Sequence, residues 1–273
     1  MIVLTLRGMS GVPVEADSIT PDRLAGRTRA EIEQLPVLEG NASARLADFF
    51  TVAGEADDRV RLEGDCSRVK HIGRGMREGR IEIEGDAGMH LGAEMRGGTI
   101  IVRGSVGDWA GAEMRGGRLH VTGDAGHLLG AAYRGSIRGM RGGTIVVEGT
   151  AGNEVGCAMR RGLIAVGGGV GDFAGVMMLA GTLFVFGPFG LRTGAGMKRG
   201  AIVAHGEAVE PPKLLPTFRF DCEYAAPWVP LYLRALRESG LRIPDLAPDG
   251  LYRRFSGDFT ELGKGEILVW TSA

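Results

Sequence analysis

The sequence predicts an all-β chain: a parallel β-helix of about seven coils of 19 residues, with an N-terminal cap and a mixed C-terminal tail. Three observations predict it. Laid against itself at a shift of 19 residues the middle of the chain repeats, as RIEIEGDAGMHLGAEMRGG from Arg80 and TIIVRGSVGDWAGAEMRGG from Thr99 show. Glycine occurs 47 times and recurs at fixed offsets, Gly85, Gly88 and Gly92, then Gly104, Gly107 and Gly111, where a tight corner needs φ > 0 or leaves no room for a side chain. Of 11 prolines, only Pro188 falls within 59–205, as expected where nearly every backbone N–H serves a ladder between coils.

Residues 1–58 read as the cap of an open solenoid end, with a strand candidate at Ile2–Leu6, a capped helix candidate at 20–24, and the segment LADFFTVAG. Residues 59–205 form the repeat. Further units start at Thr144, Leu163 and Thr182; the one from Arg118 carries seven extra residues, and the first, from Arg59, carries two near Cys66. Each unit opens with two apolar residues at strand spacing: Ile81 and Ile83, Ile100 and Val102, Leu119 and Val121, Ile145 and Val147, Ile164 and Val166, Leu183 and Val185. In the tail, 206–273, Pro211, Pro212 and Pro216 break the pattern, Leu231, Leu233 and Leu236 mark an amphipathic helix over 229–238, and 266–270 reads as a strand; the tail is expected to act as a docking element.

Composition excludes several classes. Aromatics at 6%, charged residues at 24% and a net charge of −1 speak against disorder and give no bulk field for nucleic acid or membrane. Three scattered cysteines, Cys66, Cys157 and Cys222, make neither a disulfide framework nor a CxxC metal site, so a cytoplasmic location is expected. The start lacks the basic and apolar regions of a signal peptide. The segment 163–190 carries one charge, Asp172, yet reads as ordinary coils rather than a membrane span.

Chemistry-bearing motifs are few. Glycines at 167–171 and 194–200 imitate phosphate loops, but they belong to the repeat and lack a βαβ context. His71 and His90 are one repeat apart, with His127 near the same ladder. Because Trp109, Glu154, Phe173 and Arg192 fill that ladder elsewhere and no carboxylate or thiol lies at ligand spacing, stacked rings rather than a metal site are expected. No nucleophile elbow, Ser-His-Asp set or carboxylate pair stands out, so intrinsic catalysis is not expected.

The ends of the units are more informative. Met76, Met95, Met114, Met140, Met159, Met178 and Met197 form one ladder; Arg77, Arg96, Arg115, Arg141, Arg160 and Lys198 form the next, interrupted only by Leu179. Adjacent strand residues point to opposite faces, so methionine inside puts the cations outside. Glu94 and Glu113 can neutralise the early coils. Arg134, Arg138, Arg141, Arg160, Arg161, Lys198 and Arg199 lack such partners in the sequence. The row is either a solvated face that blocks sheet-edge pairing or a groove for an anionic chain or acidic partner. A third ladder, the outward residue between the two inward apolars, runs Glu82, Ile101, His120, Val146, Ala165, Phe184, Val203. It turns apolar, so Val146, Phe184 and Val203 are expected under a partner subunit or under the C-terminal tail.

The repeats, of the form G-x-x-G-x-x-x-G followed by M-R-G-G, resemble the glycine-rich β-helix shared by the C-terminal domain of glutamate synthase large chains and the C subunit of formylmethanofuran dehydrogenase. The second likeness is closer. GVPVEADSITPDRLAGRTRAEIEQLPVLEGN and RLADFFTVAGE are similar to that subunit's leader, and the resemblance covers roughly 1–205. It implies a right-handed helix with no active site and no intrinsically bound cofactor. The implied partners are a metal-dependent amidohydrolase-like subunit, a formyltransferase subunit and a subunit related to molybdenum or tungsten dehydrogenases. In the bacterial version of the complex, formyl passes from tetrahydromethanopterin to methanofuran and is hydrolysed to formate; in methanogens a similar assembly makes formylmethanofuran from carbon dioxide. An excess of arginine over the four lysines favours the bacterial version. Methanofuran-type cofactors, by the same resemblance, carry glutamate carboxylates that Arg115, Arg141, Arg160 and Lys198 are expected to steer. The runner-up is a glutamate-synthase-type domain linking an amidotransferase to a flavin enzyme.

Overall fold

Alternating apolar residues on extended backbone bury one face, and repeating them at a constant interval lets each strand pair with its own copy in the next unit. A computed structural model, describing residues 1–8, 11–55, 57–206, 213–243 and 250–271, has this pairing. The strands Arg59–Glu63, Arg80–Ile83, Thr99–Val102, Arg118–Val121, Arg141–Val147, Arg161–Val166, Thr182–Val185 and Arg199–Ala204 lie side by side in chain order, all parallel. Equivalent residues face each other: Ile81 meets Ile100, Leu119 meets Ile145, and Leu183 meets Ile202. A second line of parallel bridges runs from Cys66 through Ala87, Val106, Ala125, Ala151 and Val170 to Phe189.

One continuous core fills the stack. The inward strand residues and the methionines Met76, Met95, Met114, Met140, Met159, Met178 and Met197 are buried. Met thioethers have no fixed shape and adapt to the narrow space beside glycine corners, where branched side chains would not fit. Across the corners, polar side chains staple one unit to the next. Asp86 Oδ1 accepts from Ser105 N at 2.7 Å, Ser105 Oγ from Asp124 N at 3.0 Å, and Asp124 Oδ1 from Thr150 N at 2.6 Å. A parallel chain links Asp108 to His127 N at 2.7 Å, His127 Nδ1 to Asn153 N at 2.9 Å, Asn153 Oδ1 to Asp172 N at 2.9 Å and Asp172 Oδ1 to Leu191 N at 2.7 Å.

Both ends of the stack are extended by the flanking segments, so strands on either side of positions 58 and 205 belong to one 13-stranded, mostly parallel sheet. At the start Ile2–Leu6 pairs parallel with Arg59–Glu63, and Phe50–Gly54 covers it antiparallel. The intervening chain adds a short helix, Pro21–Leu24, capped by Thr20, and a small sheet of Val14–Glu15, Pro36–Glu39, Ala42–Arg45 and Val69–Lys70. At the far end Lys264–Thr271 pairs parallel with Arg199–Ala204, followed by Leu251–Gly257 and Arg219–Tyr224, both antiparallel. Pro211 and Pro212 lie outside the described residues.

The tail helix is Val229–Glu238, and its buried stripe is Val229, Leu233 and Leu236. Leu231 departs from the expectation: it is 64% exposed, because residues two apart on a helix cannot share a face. The apolar stretch 163–190 forms strands of the stack, and no helix among the described residues is long and apolar enough to cross a membrane.

Gly116 shows how tightly the units approach. A Cβ there would fall on the Arg96 carbonyl oxygen of the neighbouring unit. Gly116→Ala is therefore expected to cost about 1–3 kcal/mol as overpacking against immovable backbone. Gly8→Ala, with open space around its Cβ and no left-handed φ, is the control. Urea midpoints measured at unchanged slope separate the two; equal midpoints would show that the stack yields at this corner.

Candidate functional site

The methionine ladder positions the basic row. Each cation follows a buried methionine, and its N–H binds the methionine carbonyl of the preceding unit: Arg96 to Met76 at 2.7 Å, Arg115 to Met95 at 2.7 Å, Arg141 to Met114 at 2.7 Å, Arg160 to Met140 at 2.8 Å and Lys198 to Met178 at 2.8 Å. Leu179 occupies the one apolar step, bound to Met159 at 2.7 Å. With the methionines inside, the cationic side chains reach outward in single file.

Neutralisation along the row is uneven. Glu94 takes Arg74 at 2.9 Å and lies 3.9 Å from Arg115. Lys198, unpartnered by spacing alone, meets Glu261 of the tail at 3.4 Å, so its charge is not free. The loop carrying Glu261 is pinned by buried Asp258, which accepts from Gly196 N at 3.0 Å and Thr260 Oγ1 at 2.7 Å. Arg141 and Arg160 have no carboxylate partner in ion-pair range among the described residues, and the buried Arg141 Nε has no hydrogen-bond partner. The row thus brings Arg115, Arg141 and Arg160 together as adjacent exterior cations.

Val146, Phe184 and Val203 have zero exposure, with Ala165 between them, under the chain's own tail. Val229, Leu233 and Leu236 of the tail helix pack on this strip together with Tyr252, Leu268 and Trp270. Phe184 also meets Trp228 edge-on at 6.3 Å between ring centroids. The alternative of a partner subunit on these three residues is corrected: their surface is consumed within the chain, and nothing of it is open to another protein. Where the strip is still polar, His120 Nε2 binds Glu148 at 2.9 Å and Arg118 donates to Ser239 O at 2.6 Å.

His71 and His90 stack at 4.5 Å and Trp109 continues the pile at 5.4 Å, with Tyr133 hydroxyl 3.1 Å from His90 Nδ1. All three ladder residues sit at φ near +60°, a conformation also held by Leu128, Glu154, Phe173 and Arg192. His127 is not in the pile; Leu128 takes that place, and His127 serves as a corner staple. Burial, then the neighbouring His71, pushes His90 down to about 4, and burial lowers His71 as well. Beside the pile is a hollow of about 220 Å³ lined by Glu15, Asp17, Val37, His71 and Arg74. No group of three or more His, Cys, Asp or Glu among the described residues is arranged to hold a metal.

His205 lies where stack and tail meet, its Nδ1 2.6 Å from Tyr252 hydroxyl and its ring edge-on to Phe186 at 5.7 Å. Burial, and secondarily the Arg237 charge, pushes it from 6.5 down to about 4. As pH falls below 6.5 the unfolded chain takes up the proton first, so stability declines and the loss saturates below about 4. Between about pH 7.5 and about pH 5 the wild type is expected to lose about 2 kcal/mol more than His205→Gln. Glu266, raised by burial, titrates in both proteins and cancels in the difference. Urea melts at the two pH values test this, and parallel losses would show that His205 is not the sensor.

No protein-family model matches the chain. A segment is 48% identical over 80 residues to the C subunit of molybdenum-containing formylmethanofuran dehydrogenase 1 from Methanothermobacter thermautotrophicus, covering 29% of this chain and 20% of that protein. A second, 41% identical over 93 residues, matches the C subunit of the tungsten-containing formylmethanofuran dehydrogenase 2 of the same organism, covering 32% and 34%. These matches therefore span a minor part of either curated relative. Over its full length the chain is similar to a chain in the crystal structure of the formyltransferase/hydrolase complex (FhcABCD) from Methylorubrum extorquens with methylofuran, at 34% identity, 99% and 100% coverage and a TM-score of 0.88.

Proposed function

The chain belongs to the family of C subunits found in formylmethanofuran dehydrogenases and formyltransferase/hydrolase complexes, and on that premise we propose that it is the non-catalytic scaffold of a formyltransferase/hydrolase complex. The observation that carries this is the match over both whole chains to a structure of such a complex. In this reading formyl moves from tetrahydromethanopterin to methanofuran and is hydrolysed to formate. Its chemistry resides in amidohydrolase-like and formyltransferase subunits, beside a dehydrogenase-related one. The scaffold binds no cofactor of its own, and methanofuran visits the assembly. We read the stack as a right-handed parallel β-helix, supported by the chain-order parallel strands and the second line of bridges. A cytoplasmic location fits the small number and wide scatter of the cysteines, Cys66, Cys157 and Cys222.

Native mass spectrometry of the tagged chain purified from its own host tests the assignment. Association with at least two larger subunits is expected, and recovery as a lone monomer would sink it. The same role in a redox complex is the second reading, supported by the local identity to the molybdenum and tungsten relatives. Molybdenum or tungsten in the purified complex would decide for it.

The basic row has a place in this scheme. Arg115, Arg141 and Arg160 lie about 4.8 Å apart from coil to coil along the axis, comparable to the rise of an extended chain, and Lys198, held by Glu261, follows two coils on, past Leu179. Such a row guides a cofactor tail of glutamate carboxylates without gripping it, because exposed ion pairs are worth about 0–1 kcal/mol and are screened by salt. Arg141→Glu with Arg160→Glu is expected to raise the apparent KM for the polyglutamylated cofactor, most at low ionic strength, with assembly intact. Unchanged kinetics at low salt, or a complex that falls apart, would assign the row to solvent or to an interface between subunits.

A further inference from the structure

Two ladders present apolar side chains in the unit from Leu163. One is the corner ladder Gly75, Glu94, Glu113, Ala132, Ala158, Met177, whose N–H groups bind successive units through Ala93, Ala112, Ala131, Cys157, Val176 and Ala195. It carries carboxylates at Glu94 and Glu113, buried Ala132 and Ala158 in the next two units, and then Met177, which is 55% exposed. The other is the basic row, whose single apolar step is Leu179. Met177 and Leu179 both fall in the unit from Leu163.

Facing them is the seven-residue excursion of the unit from Arg118, whose Ile137 is 76% exposed. Ile137, Ala158, Met177 and Leu179 line a predominantly apolar groove of about 410 Å³, which the Lys198 and Glu261 pair also lines. Single exposed apolar residues need no explanation, but several converging on one concavity form a binding surface. The rim is basic: Arg134 and Arg138, which flank the excursion, are exposed and have no carboxylate in ion-pair range among the described residues.

We propose that this groove docks another subunit of the complex through an apolar side chain flanked by carboxylates. The inference rests on the chain being a subunit and adds where and how one neighbour is held. An apolar floor inside a cationic rim matches the apolar core and charged periphery of interfaces between subunits. A polyanionic cofactor tail has no use for Ile137, Met177 and Leu179. A second copy of this chain fits poorly, because a self-complementary face must supply its own carboxylates and the groove's Glu261 is taken by Lys198.

The tagged complex is purified from its host as wild type and as Ile137→Asp with Met177→Asp, Arg134→Glu with Arg138→Glu, and Leu231→Asp. Leu231, 64% exposed on the tail helix, is the control. Each isolated chain is first melted in urea, and unchanged midpoints are expected because the substituted residues are exposed. In native mass spectra the groove variant is expected to lose one subunit by about tenfold or more, and the rim variant to lose the same subunit, more at low salt than at high. The control retains the full set. A groove variant that keeps every subunit overturns the proposal while leaving the scaffold assignment standing, as does a dimer of the isolated wild type that the groove variant abolishes. Wild type recovered alone overturns both.

Discussion

Closure is the condition on which everything else rests. Each unit must bring the chain back to the same point one strand spacing further on, because most backbone N–H groups in the stack bind a carbonyl of an adjacent unit. That requirement makes position equivalent to direction. Met114 can point inward and Arg115 outward in every copy only because the chain at this corner is held to Met95 and its neighbours by the same backbone bonds. It also forces corners that side chains tolerate poorly, which is why residues as large as His90, Trp109 and Phe173 sit at left-handed φ, with His90 and Trp109 piled on one another.

The outward strip shows how a one-dimensional stack acquires a second layer. At His120 the strip is still polar and is met by Glu148 at 2.9 Å. From Val146 onward it is apolar because the tail helix and the strands Leu251–Gly257 and Lys264–Thr271 come to lie over it. The same tail ends the parallel sheet with antiparallel strands and lends Glu261 to Lys198. The tail therefore terminates the sheet, shields a hydrophobic strip and removes a charge from the basic row.

What is legible in the sequence is what the period enforces. The alternation Ile81, Glu82, Ile83, the methionine and arginine ladders and the glycine corners follow from copying one unit, so each copy confirms the others. The tail is not periodic, and spacing alone cannot place its contacts. For that reason Val146, Phe184 and Val203 stay open in the sequence to a partner or the tail, and Lys198 looks unpartnered until the fold brings Glu261 to it. Spacing puts His127 close to the ring ladder because it is one residue from it; a one-residue offset at a corner changes a stacking residue into a hydrogen-bond acceptor for Asn153. Leucine spacing alone points Leu231 inward, and only the packing of the tail on the stack selects Val229, Leu233 and Leu236 instead.

The long unit has a consequence for assembly from the unfolded chain. Copies that resemble one another this closely can pair out of order, with a unit skipping its neighbour and joining the next at almost the same energy, a general hazard of repetitive chains. The excursion around Ile137 occurs once, and where it leaves the stack the register between Arg141–Val147 and Arg161–Val166 shifts at Arg141 and Thr144. A skipped pairing would set that shift against a strand without one and orphan the staple from Asp124 to Thr150. The excursion thus numbers the units, giving a chain of near-synonyms a fixed origin from which to count.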